Sequence, residues 1–196
     1  EEKSMIAFNE SGKILFVDYF DRLFGDSRYR KSSLAAVLPF RIEGGSIILS
    51  ARLNDSPRVM SFLLDTGADG MAIRRSLADS IGLKVSHSQE ASVVGGRKTV
   101  QISADNVLRL SDSLSLKKQN IAIFERVRNG TDGIIGLNLI RKYITEVNFD
   151  TQTISLYTFG DYIFQRKGRM IPLRVPSLIM LPSVLNPVSY THLTLP

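Results

Sequence analysis

Residues Ser61 to Ile73 read SFLLDTGADGMAI: an apolar run, an aspartate at position 65, a string of small residues, then a second apolar run. Phe62-Leu63-Leu64 has the apolar density of a buried strand, and Met71-Ala72-Ile73 begins another. A carboxylate at the end of a buried strand is costly unless it is hydrogen-bonded, paired or protonated. Asp65 therefore marks a position with a use, set against the plain alternative that Asp and Gly gather in turns.

Outward from this stretch the chain alternates strand and turn. LPFRIEGG from Leu38, SIILSARLND from Ser46 and VMSFLLDTG from Val59 are strand-like runs separated by Gly44-Gly45 and by Asn54 to Pro57. Residues 74–83, RRSLADSIGL, place Leu77 and Ile81 four apart and end near Gly82, which predicts one short helix. HSQEASVVGG, RKTVQISADNVLRL and QNIAIFERV read as further strands. GIIGLNLIRKYI reads as a strand end turning into a second short helix, and ITEVNFDTQTISLYTF as a β-hairpin about Asp150-Thr-Gln. The expected fold is mostly β with two short helices, in one domain over residues 38–160. Residues 1–37 read as an N-terminal extension with a short hairpin, and 161–186 as a linker.

Bulk composition narrows the function classes. The 196 residues are 43% hydrophobic and 22% charged, enough for one domain with a core and too few for two full lobes. No apolar run is long enough to span a bilayer. The net charge of +6 raises nucleic acid as a partner, but the basic residues fall in scattered short groups without aromatic interleaving or a nucleic-acid motif. The absence of cysteine excludes disulfides, thiolate catalysis and cysteine-ligated zinc. It leaves the compartment open, with a lean to a periplasmic or secreted protein whose signal peptide has been removed. Asp65 with Asp69 offers too few oxygens at too wide an interval for a calcium loop, and His87 reads as a surface histidine.

Two pieces together are more specific than either. Leu63-Leu64-Asp65-Thr66-Gly67-Ala68 and Ile134-Ile135-Gly136, with Asp65 and Gly136 separated by 136 − 65 = 71 residues, resemble the retropepsin-like aspartic proteases and in particular bacterial relatives. The resemblance implies a β-barrel lobe that hydrolyses peptide bonds in a polypeptide substrate, without metal or cofactor. It implies that Asp65 is one of two facing carboxylates sharing a proton, because two like charges in contact cannot both ionise comfortably. Thr66 would bond across to the partner loop, and Gly67 would let the backbone approach and donate N–H groups. Ala68 is small and offers no side-chain hydrogen bond. Ser92 to Lys98, SVVGGRK, lies where the family has its flap, so Val94, Gly95 and Gly96 join Ala68 as expected substrate-binding residues. Asp132 precedes the Ile-Ile-Gly strand and is given no catalytic role.

Only one Asp-Thr-Gly is present. The partner aspartate then comes from a homodimer or from a second lobe of the same chain. Leu38-Pro-Phe-Arg-Ile42 recurs weakly as Ile171-Pro-Leu-Arg-Val175, an offset of 171 − 38 = 133 that carries position 65 to 198. Residues 161–186 are thus expected to begin a second lobe, and 187–196, with His192, to be a non-native tail. Without a partner, Asp65 and the apolar residues around Ile134-Ile135 are expected to face water. The rival readings are a non-catalytic single lobe that binds peptide or dimerises, and a phosphate loop of actin-like ATPases, for which the chain has too little helix.

Overall fold

The computed structural model describes residues 6–8, 11–17, 31–93, 96–128, 130–164, 168 and 171. Val94, Gly95, most of the expected 161–186 segment, the 187–196 tail and the second copy of the short repeat beyond Ile171 lie outside them. Strands β1 (Ile6–Phe8) and β2 (Ile14–Val17) pair antiparallel in a small sheet of their own, within the segment where a hairpin was expected.

The main sheet is built from β3 (Leu34–Glu43), β4 (Ser46–Leu53), β5 (Met60–Leu64), β6 (Met71–Arg74), β7 (His87–Val93), β8 (Gly96–Arg109), β9 (Ser115–Phe124), β10 (Gly133–Ile135), β11 (Ile144–Asn148) and β12 (Thr153–Tyr157). Helix α1 (Arg75–Ser80) follows β6, and α2 (Leu137–Ile140) follows β10. β3 begins at Leu34, four residues before the expected boundary, because Ala36 as well as Leu38 and Phe40 turns into the core while Val37 and Pro39 face out. The strand order is β11-β12-β3-β4-β5-β10-β6-β9-β8-β7, and a further pairing of β4 with β8 closes the six strands from β4 through β8 on themselves. This closure makes the barrel. Leu53, Met60, Phe62, Ile73, Leu108, Ile121 and Ile135 are fully buried inside it.

One step of topology places the Asp65 stretch. β10 pairs parallel with β5, Ile135 opposite Leu64, and antiparallel with β6, Ile134 opposite Ala72. Since β10 lies between β5 and β6, the chain leaving β5 must pass over the end of β10 to reach β6. Residues 65–70 are that crossing. The insertion corrects the expectation for Ile134-Ile135: Ile135 is completely buried and Ile134 half-buried within the lobe itself, so no partner is needed to cover them.

Candidate active site

The Asp65 turn is held by its backbone to the strand beneath it. Asp65 N–H donates to the Ile135 carbonyl at 2.9 Å, Ala68 N–H to the Asp65 carbonyl at 3.2 Å, and Leu137 N–H to the Ala68 carbonyl at 2.8 Å. A Cβ on Gly136 would stand 2.3 Å from the Ala68 carbonyl oxygen and 2.5 Å from that of Gly70, so only a glycine lets the turn settle on β10. A Cβ on Gly133 would likewise meet the Ala72 oxygen at 2.3 Å and the Phe62 ring at 2.8 Å. Two glycines thus set the depth at which the Asp65 turn sits.

Within the turn, the Asp65 carboxylate is half-buried and accepts the Gly67 N–H on Oδ1 at 2.8 Å. That bond holds the side chain back against its own loop, leaving its other oxygen for a partner or a water. Thr66 and Gly67 are exposed, and the Thr66 hydroxyl has no hydrogen-bond partner among the described residues. Ala68 is half-buried and contributes through its backbone. Asp69 is exposed and ion-pairs with Arg141 of the segment after α2 at 2.6 Å, which ties the far side of the turn down.

The remaining expected residues sit elsewhere. Gly96 opens β8, exposed and opposite Val93 of β7, and β7 is the edge strand, separated from β10 by β6, β9 and β8. Val94 and Gly95 fall outside the described residues. Two concavities of about 240 and 380 Å³ are lined by residues such as Arg52, Arg109 and Ser111, and Asn54, Lys84 and Asn106, away from the Asp65 turn. No group of three or more His, Asp or Glu among the described residues is placed to hold a metal ion, and none of their helices is long and apolar enough to cross a membrane. His87 is exposed, as a surface histidine.

Three residues matter here that the sequence reading did not pick out for structure. Asp132 is buried and bridges three segments: its carboxylate accepts the Ser61 N–H at 2.9 Å and the Arg74 guanidinium at 2.7 Å, with Arg58 at 3.5 Å. It clamps the start of β5 to the end of β6, on either side of the Asp65 crossing. Its partners lie 58, 71 and 74 positions away along the chain, so no local pattern announces the clamp. Gln119 and Asn138, joined at 2.8 Å, are the other two.

A strand ending in Asp-Thr-Gly, crossing over a second strand that ends in Ile-Ile-Gly inside a closed β-barrel, defines the class: this lobe is similar to the retropepsin-like aspartic proteases. The model of the aspartyl protease family matches residues 49–139, a little under half of the chain and the part that holds both motifs. Among solved structures, a retropepsin-like aspartic protease from Rickettsia conorii is 13% identical with a TM-score of 0.46, covering 66% of this chain and 95% of that one. EIAV protease complexed with the inhibitor HBY-793 is 15% identical with a TM-score of 0.38, covering 48% of this chain and 84% of that one. No curated protein matches the chain.

Proposed function

We propose that this chain is one catalytic half of an aspartic endopeptidase, with Asp65 as one carboxylate of a proton-sharing pair. The observation that carries the reading is the Asp65 turn: a half-buried carboxylate oriented by the Gly67 N–H, beside a Thr66 hydroxyl with no partner in the described lobe. Such a turn is complete on its inner side and unpaired on its outer side. The second Asp65 comes from a homodimer partner or an equivalent turn from a second lobe. With the two carboxylates facing, the ionised one takes a proton from a water, and the resulting nucleophile attacks the scissile carbonyl as the other carboxylic acid protonates its oxygen. As the C–N bond of the tetrahedral intermediate breaks, the carboxylic acid gives its proton to the departing amine and the other carboxylate takes one from a gem-diol hydroxyl, leaving one proton on the pair as at the start.

The substrate is an extended polypeptide, and the chemistry calls for neither a metal nor another cofactor, nor for nucleic acid. The β7–β8 hairpin, with Val94, Gly95 and Gly96 at its end, is proposed as the flap that closes over that polypeptide, with Ala68 on the floor. Cleavage of an unfolded protein by the chain tests the reading. Asp65→Asn is expected to lower the rate by about a hundred- to ten-thousandfold, and excess chelator to leave the wild type unchanged. Undiminished cleavage by Asp65→Asn removes the proposal. A strictly monomeric product that binds peptide without cleaving it favours the non-catalytic module instead.

A further inference from the structure

One peptide group connects the back of the Asp65 turn to the rest of the barrel. The carbonyl of Ile135 accepts the Asp65 N–H at 2.9 Å, while the N–H of the same peptide unit, on Gly136, donates to Asn138 Oδ1 at 3.1 Å. Asn138 Nδ2 in turn donates to Gln119 Oε1 at 2.8 Å. Gln119 Nε2 then donates to the Lys117 carbonyl at 2.7 Å. Each amide is held in one orientation by the next, so four hydrogen bonds run in one direction from Asp65 to β9. A chain of this polarity strengthens its own members.

The barrel is irregular beside that chain. Asp105 and Lys118 have φ of +59° and +55°, a left-handed conformation that non-glycine residues adopt at a cost. Each stands immediately before a buried amide side chain, Asn106 on β8 and Gln119 on β9, and these two face each other where the register of the strand pair shifts. Asn106 Nδ2 also donates to the Gln119 carbonyl at 3.3 Å. Gln119 keeps the inward phase of Ile121 and Ile123, Asn106 that of Leu108, and the irregularities at Asp105 and Lys118 set the two phases opposite each other.

Resting on the protease reading above, we infer that Gln119 and Asn138 are positioning residues, which act through the Ile135–Gly136 peptide to hold the Asp65 turn in its working geometry. Without them, the turn keeps its fold and loses its aim. The test uses the full chain and two readouts. Amide hydrogen exchange at Asp65 and Gly136 reports the relay itself, and kcat against KM for cleavage reports its use. Gln119→Met, similar in length but lacking both hydrogen bonds, is expected to speed exchange at Asp65 and Gly136 and to lower kcat about ten- to a hundredfold, with KM changing less than about threefold. Asn138→Asp keeps the acceptor for Gly136 but sets a carboxylate oxygen against Gln119 Oε1. It should lose kcat at neutral pH and recover part of it as the pH falls and the new acid protonates to donate, adding an ionisation to the pH profile that the wild type lacks. Wild-type exchange at both amides in both variants overturns the inference, as does an unaltered kcat in a chain whose cleavage depends on Asp65. Asp65→Asn is run alongside: if it cleaves normally, the protease reading fails and the exchange rates alone decide the relay.

Discussion

At the scale of single residues, Gly136 and Asp132 do opposite kinds of work for the same turn. Gly136 acts by what it lacks. Its backbone φ of −98° is open to any residue, so the constraint is space: an added methyl would press on two carbonyl oxygens at 2.3 and 2.5 Å, neither of which can move without shifting the turn. Gly136→Ala is expected to cost about 3 kcal/mol or more, read as a fall in the urea midpoint, and to abolish cleavage in whatever fraction still folds. Asp132 acts by what it carries. Its carboxylate is only 12% exposed and satisfies the Ser61 N–H and the Arg74 guanidinium, although Arg74 itself is 39% exposed and can be rehydrated. Asp132→Ala is therefore expected to destabilise by about 2 kcal/mol, the loss of charged hydrogen bonds rather than the stranding of a buried ion. A change under about 0.5 kcal/mol would mean that the clamp adds nothing to the strands it joins.

At the scale of elements, the β7–β8 hairpin is the one proposed as the flap, and Gly96 is where that proposal can be tested. Gly96 has φ of +136°, and a Cβ there would meet nothing within 4 Å, so substitution strains the backbone without a clash. Gly96→Val should cut turnover while shifting the melting temperature by only a few degrees, since the residue is exposed and outside the core. Loss of the whole fold would place Gly96 inside a packed element instead. The elements legible in the sequence were those with a local signature. Apolar alternation announced β3 and the β11–β12 hairpin, and the break after Gly82 announced the end of α1. The Asp65 turn was legible because its two motifs sit on one strand end and one strand beside it, and both are short apolar runs closed by small residues. The buried amides were not legible. Lys117-Lys118-Gln119-Asn120 reads as a polar stretch, and although Gln119 keeps the alternation of Ile121 and Ile123, its pairing with the buried Asn106 depends on how β8 and β9 meet. Ile134-Ile135 was misjudged for a related reason: burial between β5 and β6 depends on the crossing of the chain, which no window of sequence contains.

At the scale of the whole molecule, the proposed reaction uses two carboxylates where the sequence has one Asp-Thr-Gly. The lobe closes its own core, so in the proposed enzyme a partner would add chemistry rather than burial: a second carboxylate opposite Asp65 and a group for the exposed Thr66 hydroxyl. If that partner is a second copy, the active species is a dimer, and below its dissociation constant halving the protein concentration should cut the cleavage rate about fourfold. Mixing gives a sharper measurement. Equal amounts of wild type and Asp65→Asn, exchanged to equilibrium above the dissociation constant, pair at random, and only about a quarter of the dimers then carry both aspartates. Cleavage per dimer should fall to about a quarter of the wild-type value, because a mixed dimer has one carboxylate and one amide and cannot pass the proton between them. A rate proportional to the wild-type chain alone, untouched by the added variant, would mean that each chain works without a second copy. The partner aspartate would then have to lie on the same polypeptide, and joining a second lobe to this one should raise activity at a fixed concentration and make it independent of dilution.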